Sequence, residues 1–299
     1  MATYESAQDP PAERERLLAL GAALLALTLW ASAFVGIRSA GHHLAPGSLA
    51  LARLLIGSVA LGGLVLARRE PLPARRDLLP IAFSGLLWFG VYNVALNAAE
   101  RRIDAGTAAM LVNIAPILLA VLAGLALHEG FPRQLFAGCA VAFAGTALIA
   151  SAIAHGGFGI SWGVVLCLLA ALSYSAAIVA QKPVLARVSA LQITWLACTV
   201  GALACLPFAP TLAHDLSDAP ASAIGWTIYL GAAPTAIGFV AWAYALARST
   251  AGRLGSMTYL VTPIAIVLAW ALLGETPPRL ALLGGALCLA GVGIARRRA

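Results

Sequence analysis

Apolar residues fall in long unbroken runs along this chain, separated by short polar joints. The runs cover about residues 17–37, 46–67, 78–99, 104–127 and 133–152, then about 160–181, 190–210, 221–247, 253–273 and 279–295. Each is close to the ~20 residues a helix needs to cross the hydrocarbon core of a bilayer. Barrel strands would be shorter and would alternate apolar with polar positions. The pattern therefore predicts an all-α polytopic membrane protein with ten transmembrane helices. Pro46, Pro80, Pro132 and Pro278 fall near predicted helix starts, where a missing N–H costs little.

The pattern also repeats. Ala109-Met-Leu-Val-Asn-Ile-Ala-Pro116, followed by an apolar run to Glu129, is matched by Ser256-Met-Thr-Tyr-Leu-Val-Thr-Pro263 and a run to Glu275. Beyond the turn, Gly138 and Gly145 fall on Gly284 and Gly291. Self-similarity at this period divides the chain into a tail, residues 1–16, a first repeat over 17–152 and a second over 153–299. Five helices per repeat is an odd number, so the second copy enters the membrane from the opposite side. A 5+5 inverted-topology repeat places a substrate site near the midplane, between the halves.

Composition agrees with a lipid solvent. Hydrophobic residues make up 61% of the chain and charged residues 10%, against about 25% charged in soluble domains. The net charge of +7 does not point to nucleic acid, because the basic residues flank apolar runs instead of forming a stripe. Fourteen Lys and Arg, among them Arg68, Arg75, Lys182 and Arg248, lie on one set of flanks, and four, Arg38, Arg101, Arg102 and Arg279, on the other. Cytoplasmic flanks carry the excess, so both termini are expected in the cytoplasm and the protein in the inner or plasma membrane. Arg14, Arg16 and Ala31-Ser32-Ala33 imitate a cleavable signal, but this segment completes the repeat and is expected to remain. The five cysteines sit singly in apolar runs, and neither a disulfide, a metal site nor a cofactor is expected.

Trp30-Ala-Ser-Ala-Phe34 with Arg38, the Pro116 and Pro263 helices, Gly274-Glu275, and the glycine-bearing helices 138–145 and 284–291 together resemble the drug/metabolite transporter superfamily, specifically its ten-helix EamA-type exporters. Within it the chain looks most like the aromatic amino-acid exporters of the YddG type. His128-Glu129 departs from the usual Gly-Glu. The resemblance implies a secondary transporter exporting small amphipathic metabolites, above all aromatic or large neutral amino acids, by alternating access. A broader metabolite or drug exporter, or an importer of the same fold, is the alternative. A channel or a lipid-modifying membrane enzyme is a further one, although no Gly-x-Ser-x-Gly, His-Glu-x-x-His or phosphate-cradling motif is present. The expected partners are the small-molecule substrate and the bilayer, with the chain a monomer or a weak homodimer.

Polar and aromatic residues cluster at similar depth in several spans and are the candidate substrate contacts. They are Trp30, Ser32, Trp88, Tyr92, Asn93, Asn113, Tyr174, Ser175, Tyr259 and Thr262, with Trp242 and Tyr244 nearby. Trp88 and Tyr92, four apart, share a helix face, and a buried amide such as Asn93 or Asn113 needs a partner. Pro116 and Pro263 are read as mid-helix kinks that free the carbonyls of Val112 and Tyr259. Pro234 is read as a hinge peculiar to the second half. Arg53 lies about two turns inside its span, either snorkelling to headgroups or meeting a substrate carboxylate. Arg38 and Glu100 are candidates for gating or charge. No carboxylate occupies a predicted helix centre, so no tightly coupled proton relay is expected, with Glu100 at the cavity rim as the exception. Glu129 and Glu275 are expected to cap the helices that follow them.

Overall fold

A computed structural model describes residues 10–126, 133–153, 161–248 and 257–295; Glu129, Pro132, His128, His155 and Arg253 lie outside them. Among the described residues all regular structure is helical. We label the helices α1 (Pro10–Ala40), α2 (Pro46–Arg68), α3 (Arg75–Glu100), α4 (Ala105–Val112 and Ala115–Ala126), α5 (Arg133–Ile153) and α6 (Trp162–Gln181). There follow α7 (Ala190–Ala204, then Ala209–Asp218 beyond a 49° bend), α8 (Ala221–Leu230, Gly231–Ile237 and Gly238–Arg248), α9 (Val261–Leu273) and α10 (Arg279–Ala295). Five helices are long and apolar enough to cross a membrane, six if the bent α7 is one span, and shorter apolar helices occupy α4, α5, α9 and α10. Helix α1 begins at Pro10, within the polar stretch that precedes the first apolar run. Pro46 is at the first position of α2, but Pro80 lies inside α3 and does not start it.

The two halves interlock instead of lying side by side. Helix α1 packs on α8 and α9, α2 on α7 and α8, and α3 on α6 and α7. Glycine allows two of these crossings. A Cβ on Gly85 of α3 would stand 2.6 Å from the Ala197 carbonyl oxygen of α7, and one on Gly231 of α8 would stand 2.8 Å from the Arg53 carbonyl oxygen of α2. Both glycines open a π-helical turn, Gly85–Val91 in α3 and Gly231–Ile237 in α8. Pro234 lies within the second of these turns, and α3 makes the same turn without a proline.

The two proline helices are broken, not kinked. In α4 the chain leaves the helix at Asn113 and Ile114, and Pro116 is the second residue of the segment that resumes. Helix α9 starts after a 3₁₀ turn at Thr258–Leu260, and Pro263 is its third residue. Proline suits the first turn of a helix, where its N–H would be unpaired in any case. The sequence reading of mid-helix kinks gives way to two helix starts at membrane depth. Helices α5 and α10 pack on each other through Gly145 and Gly284, each of whose added Cβ would clash with the other's carbonyl oxygen. This pair lines no part of the cavity described next.

Candidate substrate cavity

A cavity of about 100 Å³ lies on the seam between the halves. Helices α1 to α4 supply Trp30, Phe34, Ile37, Arg53, Trp88, Tyr92, Asn93, Leu96, Val112, Asn113 and Pro116; α6 supplies Tyr174, α8 Phe239, and the start of α9 Thr258 and Val261. Its walls are a continuous set of edge-on and tilted rings. Trp88 meets Tyr174 at 5.0 Å and Phe239 at 4.9 Å between centroids, and Trp30 meets Phe239 at 5.2 Å and Trp242 at 5.0 Å. Such arrangements fix ring orientation beyond what area burial alone supplies.

The polar candidates divide into two groups. Trp30, Trp88, Tyr92, Asn93, Asn113 and Tyr174 line the cavity. Ser32 does not: its hydroxyl is paired with Tyr229 Oη at 2.6 Å and with the Leu29 carbonyl. Ser175 Oγ lies 2.7 Å from the Ala171 carbonyl of its own helix and 2.9 Å from the Ala115 carbonyl beside the break in α4. Thr262 accepts a hydrogen bond from Asn113 Nδ2. The Tyr259 side chain lies outside the described residues. Trp242 stacks behind Trp30, and Tyr244 lies under the Arg248 guanidinium at 3.8 Å, away from the lining. Asn93 lines the cavity and also donates to the Trp88 and Phe89 carbonyls at 3.2 and 2.8 Å, inside the π turn. Phe34 and Phe239 escaped the search for polar groups at depth because they carry none. The spacing of Phe239, three before Trp242 on one helix face, was the available signal.

Arg53 is the one charged lining residue among the described residues. It is 5% exposed, and its Nε and Nη2 donate to Thr235 Oγ1 at 3.3 and 3.2 Å. The guanidinium thus points inward across the seam to α8, not outward to headgroups. Thr235 also donates to the Leu230 carbonyl within the π turn of α8.

Each end of the bundle is tied across the halves. At one end Arg38 Nε lies 2.7 Å from Glu275 Oε1, and Arg38 Nη1 donates to the backbone carbonyl of Glu100. Glu275 also accepts from the Ala105 N–H at 3.4 Å, so it caps α4 across the seam and not α10, the helix that follows it. At the other end Arg187 donates to Asp77 Oδ1 from Nη2 at 2.5 Å and from Nε at 3.1 Å. Gln192 donates there to the Pro71 carbonyl, and Ser189 pairs with Glu70. Among the described residues no cluster of three or more His, Cys, Asp or Glu forms a metal site.

Comparison with known proteins fits this architecture. Residues 17–151 and 161–297 each match the EamA-like transporter family. A probable terminal-alkyne amino-acid exporter from Streptantibioticus cattleyicolor is 41% identical, over 94% of each chain. A probable amino-acid metabolite efflux pump from Salmonella typhimurium is 25% identical, over 90% of this chain and 92% of that one. A solved crystal structure superimposes with a TM-score of 0.63 at 20% identity, over 94% of this chain and 97% of the other, and that likeness concerns the fold alone. With both repeats matched and apolar helices forming the bundle, this chain belongs to the EamA-like transporter family and is a multi-pass membrane exporter of small molecules, not an enzyme.

Proposed function

We propose that this transporter exports amino acids with an uncharged, apolar or aromatic side chain. The observation that carries the reading is the chemistry of the cavity: aromatic walls from both halves with a single guanidinium, Arg53, at their edge. A zwitterion fits such a wall when its carboxylate meets Arg53 and its side chain lies among Trp30, Trp88 and Phe239. Its ammonium has two partners available. One is the Val112 carbonyl, which Pro116 deprives of its usual donor. The other is the ring faces, through cation–π attraction. The alkyne-bearing amino acid in the name of the 41% identical relative is of the same class, compact and unsaturated at the side chain.

The cavity is smaller than the roughly 300–1,000 Å³ of ordinary ligand sites, and both ends are tied. This supports an occluded form, from which the halves rock apart at one end at a time. In this reading residues 17–152 and 153–299 are oppositely inserted five-helix repeats behind a short tail, ten spans in all. Both termini, with the Asp77–Arg187 end, face the cytoplasm; the Arg38–Glu275 end is the exit. Trp30, Trp88, Tyr92, Asn93, Asn113 and Tyr174 are the substrate contacts, and Ser32, Ser175 and Thr262 hold the frame around them. Gly90 and Gly238 lie within or beside the π turns, where the rocking would be absorbed.

A counterflow screen of all amino acids with purified protein in liposomes tests this. The expected result is saturable, stereoselective exchange of a few apolar or aromatic amino acids. Exchange of cationic drugs alone would favour the broader drug-exporter reading, and unsaturable flux would favour a channel.

A further inference from the structure

Beyond the cavity lining, at the Arg38–Glu275 end of the bundle, stands a carboxylate that the substrate path does not use. Glu100 ends α3 and is 1% exposed, and among the described residues neither of its carboxylate oxygens has a hydrogen-bond partner. Arg38 is adjacent, yet its hydrogen bonds go elsewhere: Nε to Glu275 Oε1, and Nη1 to the backbone oxygen of Glu100 itself. The charged groups whose fields reach Glu100 are Arg38 from α1, Arg53 from α2, Asp104 ahead of α4 and Glu275 after α9; Tyr92 of its own helix and Cys167 of α6 also face it. Asp104 is already occupied, capping α4 through Thr107 N and pairing with the Thr107 hydroxyl. Asn97, one turn before Glu100, donates to the Pro46 carbonyl but leaves its own Oδ1 unpartnered, as does Ser48 Oγ on α2.

An ionised carboxylate buried without any donor is costly, whereas a neutral carboxylic acid loses far less. A guanidinium nearby that pairs with a second, partly exposed carboxylate is what a neutral Glu100 would permit. We propose that Glu100 is a proton-binding site that controls the Arg38–Glu275 latch at the exit of the cavity. With the proton on Glu100, Arg38 pairs with Glu275 and joins α1 of the first half to the end of α9 in the second. When Glu100 releases its proton to water arriving from the exit face, the new carboxylate takes Arg38 N–H groups in place of Glu275 Oε1. Glu275, 22% exposed, is left to solvent, and the tie between the halves is broken. Ile37 and Leu96, which line the cavity, precede Arg38 and Glu100 by one and four residues.

The inference rests on the exporter reading only for which face is the exit. Its test needs no substrate, so it stands or fails separately from that reading. Purified protein is titrated from acidic to alkaline pH and followed by infrared difference spectroscopy. A protonated carboxylic-acid C=O band should disappear on titration in the parent protein and be missing in Glu100→Gln. In parallel, spin labels at exposed His42 and Thr276, in a background without the native cysteines, report the distance across the latch. The expected result is a short distance at acidic pH and a longer one at alkaline pH. Glu100→Gln should stay short at every pH, and Arg38→Gln should be long at every pH. Glu275→Gln separates the latch from simple misfolding: it should keep the carboxylic-acid band and lose the short distance. Absence of the band, a pH-dependent distance surviving in Glu100→Gln, or a distance that responds to sodium and not to pH would overturn the proposal.

Discussion

Asn113 donates its side-chain N–H to Thr262 Oγ1, and that bond joins the two broken helices at their breaks. Asn113 caps the first segment of α4, and Thr262 is the second residue of α9. Thr262 Oγ1 also lies 3.4 Å from the Ala109 carbonyl, so one hydroxyl of the second half meets two groups of the first. In hydrocarbon an amide without a partner costs free energy, and here each break supplies the other's partner.

This pairing should be measurable. Asn113→Ala and Thr262→Val should each destabilise the protein in detergent, and the double variant should lose less than their sum. The expected coupling is about 1 kcal/mol, the net value of a buried hydrogen bond. Thermal unfolding of the four proteins of the cycle reads it directly, and strict additivity would separate the two breaks.

Trp88→Ala and Tyr92→Ala remove ring contacts with Tyr174 and Phe239. Each should raise the concentration for half-maximal exchange by about threefold to tenfold, since aromatic contacts contribute ~0.5–1.5 kcal/mol beyond area. Ser32→Ala, whose hydroxyl faces Tyr229 and not the cavity, should leave that concentration unchanged. Counterflow with protein matched for reconstitution yield checks both.

Arg53→Gln should weaken carboxylate-bearing substrates by about tenfold or more, in the range of a charge-assisted hydrogen bond. Arg53→Lys should recover part of this, because it restores the charge but not the planar fork. Amine analogues without a carboxylate should bind the parent and Arg53→Gln alike. Equal loss for both kinds of solute would make Arg53 a structural tie to Thr235 and nothing more.

Gly85→Ala and Gly231→Ala place a methyl group 2.6 Å from the Ala197 carbonyl oxygen and from Ile56 Cβ, respectively. Neither π turn has room to recede, so each substitution should cost about 1–3 kcal/mol. Gly63→Ala, at a position with nothing within 4 Å, is the control and should be neutral. Melting temperatures in detergent decide, and a neutral Gly85→Ala would show that the α3–α7 crossing adjusts freely.

Residue by residue, the sequence was a good guide to depth and a poor one to direction. Trp88, Tyr92 and Asn113 were chosen as polar or aromatic groups at midmembrane depth, and they line the cavity. Ser32 and Ser175 were chosen on the same ground and turn instead to Tyr229 and to the Ala115 carbonyl. Depth follows from position along one helix, whereas direction depends on which polar groups of the neighbouring helices stand opposite. Pro116 and Pro263 were legible as interruptions, but the π turn of α3 was not, because Gly85 signals it only through its contact with α7. Glu275 looked like a cap for the next helix; its partners, Arg38 and Ala105, are 237 and 170 residues away.

Hydropathy, the internal repeat and the placement of basic residues are properties of the chain in one dimension. They determined that this protein is an all-helical membrane bundle built from two related halves, because burying backbone in lipid leaves helices as the economical solution. Tertiary structure decided the rest: which carbonyls are orphaned at the breaks and which side chains satisfy them. It also set which rings face one another across the seam, and left Glu100 without a donor. Those outcomes depend on how α1 to α4 cross α6 to α9, and no local pattern encodes a crossing.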